Sequence, residues 1–315
     1  MPFLGNRHLQ TILGNAFGTA GLNCPTEERL VHLPDGDCLV LHDGWPRGWR
    51  PGRPVALLVH GLGGSHRSAG VTRMARRLSA RGIRVVRIDL RGSGRGLALA
   101  RRLYHGGCSD DLRVAVEAVH AGAPSSPIFV IGFSLGGNIA LKLAGEAAAH
   151  PVSGLARVAA ISPPIDFERC ADLIALPANR FYERRFVRAL VRLVRRRQHL
   201  RTDVPVIRFP PATTLRLFDE LYTAPSHGFA DAADYYRRAS SAPWLERIRV
   251  PTLILAARDD PLVPGESFAA IKPTETLRVC LVERGGHLGF LGWDGAGGVR
   301  WAEQRVADWV LGPID

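Results

Sequence analysis

Eight short apolar runs of strand length constrain this chain more than any other feature. They are Glu28–Leu33, Leu39–Asp43, Val55–His60, Arg84–Asp89, Ile128–Gly132, Leu155–Ile161, Thr252–Ala257 and Thr276–Val282. Helical periodicity fills the intervals near Arg67–Ala80, Asp110–Ala121, Leu135–Ala149, Glu266–Ile271 and Val299–Val310. Strands that alternate with helices require crossover connections, and right-handed crossovers lay the strands parallel. The first two runs flank Pro34-Asp35-Gly36-Asp37, a turn sequence, so they form an antiparallel hairpin. The expectation is an α/β chain with a mostly parallel eight-stranded sheet flanked by helices. At 315 residues and 46% apolar content it has material for one large core, and a single domain over 1–315 is expected.

The rhythm breaks over 167–250, where arginine-rich stretches with short helical patches replace it, and this segment is expected to be an inserted helical lid or cap. Within it, Phe186, Val187, Leu190, Val191, Leu193 and Val194 recur at helical spacing, while Arg184, Arg185, Arg188, Arg192 and Arg195 to Arg197 fill the other positions. Two readings fit this 184–197 helix. It rests on an anionic membrane surface near a lipid substrate, or it packs on the domain with a solvated basic face. Residues 1–26 are expected to be an extension packed on the domain.

A net charge of +12 would ordinarily raise nucleic acid as a partner. Here the charge is spread along the chain, and no zinc-finger, RNP-like or helix-turn-helix pattern accompanies it, so no nucleic-acid partner is expected. The five cysteines (Cys24, Cys38, Cys108, Cys170, Cys280) are scattered and contain no C-x-x-C pair. That pattern fits neither a disulfide framework nor a zinc site and suits a reducing, cytoplasmic compartment. No run of 18 apolar residues and no secretory signal is visible.

The chemistry concentrates at Gly132-Phe133-Ser134-Leu135-Gly136, a G-x-S-x-G pentapeptide between an apolar strand and an alanine- and leucine-rich helix. A serine hydroxyl is a poor nucleophile unless it stands clear of the backbone near a base, and a sharp strand-to-helix turn puts it there. Glycines on both sides let the chain turn without a Cβ clash. A glycine-rich turn can also serve packing alone, so partners decide the matter. The base is expected at His287, on the loop Gly285-Gly286-His287 after the last strand; it is the only histidine beyond Asp260. The acid is expected at Asp260, in Arg258-Asp259-Asp260-Pro261 after the Thr252–Ala257 strand, with Asp259 as a turn or supporting residue. Asp166 is the reserve acid. Backbone N–H groups of Leu62, in His60-Gly61-Leu62-Gly63-Gly64, and of Leu135 are the expected oxyanion donors. That first loop lacks the lysine and hydroxyl residue of a phosphate-binding loop. His105 and Asp110 have an H-x-x-x-x-D spacing seen in some acyltransferases, but Asp110 reads equally as a helix N-cap. Arg67, Arg91 and Arg258 read as loop ties near the site. No cofactor or metal is called for.

Several stretches together resemble α/β-hydrolase family 4, the YheT-like proteins related to eukaryotic α/β-hydrolase-domain lipases. They are Pro2 to Ile12 (PFLGNRHLQTI), His60 to Ser65, Arg102 to Gly107, Gly132 to Asn138, Ile161 to Pro164, Tyr235 to Ser241 and Gly285 to Phe290. The resemblance implies an α/β-hydrolase fold, a Ser134–Asp260–His287 triad, and hydrolysis of carboxylic esters with short or medium acyl chains, or of acylglycerols. The same acyl-serine would also serve an acyltransferase, and a non-catalytic interaction protein on the same fold is the third reading. No counterpart of the eukaryotic relatives' N-terminal membrane anchor is expected. The expected partners are a small ester or lipid and, through the 184–197 helix, an anionic membrane.

Overall fold

A computed structural model describes residues 5–16, 26–295 and 298–312. Parts of the N-terminal extension, 1–4 and 17–25 with Cys24, therefore lie outside the described residues. Eight strands, β1 (Glu27–His32), β2 (Cys38–Gly44), β3 (Val55–Val59), β4 (Arg84–Asp89), β5 (Ile128–Phe133), β6 (Leu155–Ile161), β7 (Thr252–Ala257) and β8 (Leu277–Val282), form one sheet in the order β1-β2-β4-β3-β5-β6-β7-β8. The hairpin strands β1 and β2 and the β2–β4 pair are antiparallel, and every later pairing is parallel. All eight expected strands are present, with ends that differ by at most one residue.

Helix α1 (Arg7–Ala16) precedes the sheet. Its crossovers carry α2 (Ala69–Ser79), α3 (Ser109–Ala121) and α4 (Leu135–Glu146). Strands β3 to β7 are buried on both faces, as continuous apolar runs in a parallel sheet must be. One core lies between the sheet and α3 and α4, built on Leu57, Val116, Ile139 and Leu143. The other lies under α2 and the C-terminal helix, with Leu58, Met74, Leu78 and Val306.

Between β6 and β7 the chain adds α5 (Phe167–Ala175), α6 (Arg180–Leu200), α7 (Leu215–Phe218), α8 (Ala224–Ser226) and α9 (Ala232–Ala239). A π turn, Asp219–Thr223, joins α7 to α8. Helix α6 buries Val187, Leu190 and Val194 and exposes Arg184, Arg185, Arg188, Arg192, Arg195 and Arg196. Arg197 departs from the expected solvated face: it is buried, with its guanidinium over the Tyr222 ring. The chain ends with α10 (Glu266–Ala269) after β7 and α11 (Trp301–Leu311) after β8.

Candidate active site

Three loops at the carboxyl ends of parallel strands bring Ser134, Asp260 and His287 together, where open α/β sheets gather their sites. Ser134 follows β5 and begins α4. Its backbone stands at φ 51° and ψ −120°, a region that costs a non-glycine residue on the order of 1–3 kcal/mol. The strain falls on the serine itself, and the flanking glycines serve close approach. A Cβ at Gly132 would lie 2.2 Å from the Gly136 carbonyl oxygen, and one at Gly136 would lie 2.5 Å from the carbonyl oxygens of Val59 and His60. The turn is therefore wedged against the end of β3 with no room for a side chain on either side.

His287 Nδ1 is 2.9 Å from Asp260 Oδ2, and its Nε2 is 2.9 Å from Ser134 Oγ. Asp260 Oδ1 accepts the backbone N–H groups of Leu262 (2.8 Å) and Val263 (3.1 Å), which fixes the carboxylate and leaves Oδ2 for the imidazole. A carboxylate only accepts, so Nδ1 carries the proton and Nε2 is left to accept from the serine hydroxyl. Asp259 turns away: its Oδ1 accepts from Gly285 N (2.8 Å) and Gly286 N (2.9 Å), tying the aspartate loop to the histidine loop. The reserve acid Asp166 is elsewhere, capping α5 through Arg169 N.

The loop after β3 runs against Ser134: a Cβ at Gly61 would lie 3.1 Å from Phe133 O and Ser134 Cβ. Tyr104 braces this loop on both sides of Leu62, since its hydroxyl donates to Gly61 O (3.0 Å) and accepts from Gly63 N (2.7 Å). Farther along, Asp89 accepts the His66 N–H at 2.7 Å. Among the described residues, the Leu62 and Leu135 N–H groups make no hydrogen bond within the protein, and both residues line a cavity together with Ser134. In the sequence Tyr104 stands out only as part of the resembling stretch Arg102 to Gly107, with no role attached, because its role depends on a contact across 41 residues.

Two cavities meet at this point and share Leu62, Ser134, Phe186, Leu262 and His287 in their walls. One, of about 100 Å³, is lined mainly by apolar side chains such as Leu135, Phe167, Ile174, Leu190, Phe218 and Tyr222. The inserted helices α5, α6, α7 and α9 and the π turn build most of it. The other, of about 490 Å³, is more polar; Phe181, Tyr182, Arg185 and the Arg73–Glu303 ion pair border it. Asp219 belongs to the small cavity; burial lifts its carboxyl to about 6, although Thr223 and Tyr236 donate hydrogen bonds to it.

His105 also lines the small cavity, with its imidazole pushed well below its ordinary range by burial and then by His227. It does not meet Asp110, which is exposed in the first turn of α3. The cap reading of Asp110 is corrected too: the helix begins at Ser109 with Cys108 at the cap, and Asp110 instead complements the positive end of the helix dipole. Arg91 bonds Asp35, Asp37 and Asp111, Arg258 bonds Glu283, and Arg67 donates to His66. Arg91 and Arg258 tie separate segments, Arg67 bonds only within its own loop, and none of the three lines either cavity.

Among the described residues, metal-type donors converge only at His42, His66 and Asp89. Both imidazoles already point at Asp89 Oδ2, at 3.0 and 2.8 Å. Against the raising effect of burial, these bonds hold that carboxyl well below its ordinary range, so the group is a self-satisfied network.

Comparison with known proteins agrees with this fold. A family model described as the alpha/beta hydrolase fold matches residues 54–292. YheT of Escherichia coli strain K12, which carries an esterase name, is 32% identical over 98% of this chain and 92% of its own length. Two Saccharomyces cerevisiae proteins, a monoacylglycerol lipase (29%) and medium-chain fatty acid ethyl ester synthase/esterase 2 (26%), each match 81% of this chain. The chain spans 58% and 61% of their lengths, respectively. Among solved structures, the Pyrococcus furiosus esterase Pf2001 has a TM-score of 0.58 at 16% identity, covering 98% of this chain and 95% of that one. The 2,6-dihydroxy-pseudo-oxynicotine hydrolase has the same TM-score at 22% identity, covering 91% and 67%.

Proposed function

The chain belongs to the α/β-hydrolase fold family, of the esterase and lipase type, and from that premise we propose that it is a serine esterase working through an acyl-enzyme. Ser134 Oγ attacks the ester carbonyl while His287 Nε2 takes its proton, and the imidazolium is oriented by Asp260. The carbonyl oxygen, now negative, rests on the N–H groups of Leu62 and Leu135. Collapse expels the alcohol with the proton held by His287. Water activated by the same imidazole then releases the acid.

The observation that carries this reading is the unbroken run of bonds from Asp260 through His287 to a strained Ser134 Oγ. The apolar cavity receives the acyl chain, and the larger polar one receives the alcohol. Helices α5, α6, α7 and α9 act as the lid, since they wall the acyl side. A cavity of about 150 Å³ accommodates the six carbons of benzene, so one of about 100 Å³ suits an acyl chain of about four carbons. A p-nitrophenyl ester series should therefore peak at about that length, with monoacylglycerol run beside it; a rate that climbs steadily to long chains would contradict the assignment. Added alcohol or thiol acceptors in the same assay separate hydrolysis from acyl transfer through the ratio of acid to new ester.

Exposed Phe181 and Arg185 border the larger cavity, and exposed Arg184 and Arg188 follow at helical spacing on α6. That pairing of cationic and apolar groups supports peripheral contact with an anionic membrane at the mouth through which a lipid ester would enter. Among the described residues, no helix is long and apolar enough to cross a membrane.

A further inference from the structure

The loop 285–291 carries His287; one backbone bond of its own, Phe290 N to Gly285 O at 2.9 Å, and the Asp259 carboxylate hold its start but leave the His287 N–H and Leu291 to other partners. Leu288 and Phe290 sit at φ 62° and 42°, and strain of this kind persists only where surrounding structure enforces it. Helix α1 supplies the enforcement at His287 and Leu291. The His287 N–H donates to Thr11 Oγ1 at 2.9 Å, while the Thr11 hydroxyl donates to Arg7 O at 2.8 Å. Its proton is thus directed into the helix and its lone pair toward His287. Gln10, with no solvent exposure, clamps Leu291 from both sides: its Nε2 donates to Leu291 O (3.2 Å) and its Oε1 accepts from Leu291 N (2.7 Å).

The helix backbone lies directly on the loop. A Cβ at Gly14 would be 2.4 Å from Gly289 Cα, and a Cβ at Gly289 would be 2.3 Å from Gln10 O. Arg300 holds the far end of the helix by donating to Gly14 O. These contacts join residues about 280 positions apart in sequence, which is why the stretch carries no readable chemistry in the sequence.

We propose that α1 is a positioning element for the catalytic base, and that Thr11, through His287 N, is its principal positioning residue. The inference rests on the assignment of His287 as the base. Without the Thr11 hydroxyl, the His287 N–H is buried with no acceptor, the strained loop relaxes, and Nε2 moves off the line to Ser134 Oγ. Displacements of about 1 Å at a reacting group can cost up to roughly a hundredfold in rate.

The test compares full-length Thr11→Val, Thr11→Ala and Thr11→Ser with the unaltered protein on p-nitrophenyl butyrate, beside Ser134→Ala and His287→Ala. The expected result is a kcat lowered at least about tenfold in Thr11→Val and Thr11→Ala with KM within about twofold, a similarly slowed reaction with a fluorophosphonate, and kcat within about twofold of the unaltered protein in Thr11→Ser. Folded Val and Ala variants that keep kcat would overturn the proposal, as would a raised KM at unchanged kcat, which marks substrate contact. A Thr11→Ser variant as impaired as the others would also overturn it. If the Ser134 and His287 variants keep activity, the esterase assignment fails; if they lose it while the Thr11 variants do not, the positioning role alone fails.

Discussion

Asp219 shows at the scale of one side chain how the small cavity spends stability on its shape. Burial, the largest influence, lifts its carboxyl from 3.8 in the unfolded chain to about 6 in the fold. The native state therefore binds the proton more tightly than the unfolded state between about pH 4 and pH 6. Stability from this group is fully present below about 4 and is lost as pH rises through 6, by on the order of 2–3 kcal/mol. Asp219→Asn keeps an acceptor for Thr223 or Tyr236 without the buried charge. It should raise Tm at pH 8 by a few degrees relative to the parent and leave pH 4 nearly unchanged, as read by thermal unfolding at both pH values; a drop in Tm at pH 8 would contradict this account. Residues differ sharply in how far they can be read from sequence. Ser134, Asp260 and His287 were legible because each sits in a short local pattern after a strand. The division of labour between Asp259 and Asp260 follows from which carboxylate faces the imidazole and which faces the Gly285 and Gly286 amides. Thr11 and Tyr104 act only through contacts that sequence adjacency does not encode.

Among the elements, the strands were legible nearly to the residue because a parallel strand buried on both faces must be a continuous apolar run. The inserted segment was legible only as an interruption. Its helices α7 and α8 are a turn each and are joined by a π turn, lengths at which periodicity has too few residues to register. The long basic helix α6 was foreseen, but one of its arginines, Arg197, is buried under Tyr222, because amphipathic spacing gives a face only to within a residue or two. What α6 does expose leads to a prediction at this scale. Sedimentation with vesicles containing anionic lipid should carry the protein down at low salt, and changing Arg184, Arg188 and Arg192, which are exposed and line neither cavity, to glutamate should abolish that while esterase activity on a water-soluble ester stays within about twofold, each basic residue contributing about 1 kcal/mol near an anionic surface. Equal sedimentation of the triple variant would remove α6 as the contact.

At the scale of the whole molecule, the site is assembled from both ends of the chain. The loops after core strands β5, β7 and β8 present Ser134, Asp260 and His287, the insertion walls the apolar cavity, and α1, itself held by Arg300, grips the histidine loop from the N-terminal side. Fold class was legible because alternation of strands and helices leaves few topologies open. The substrate was not, because the cavity walls come from elements distant in sequence whose packing no local pattern reports. The central claim is that Ser134 is a nucleophile activated by His287, and covalent labelling tests it most directly. A fluorophosphonate should add one adduct to the intact protein, located by mass spectrometry on the peptide bearing Ser134, with labelling absent in Ser134→Ala and slowed by at least about a hundredfold in His287→Ala. Undiminished labelling of folded Ser134→Ala, or an adduct on another residue, would contradict it.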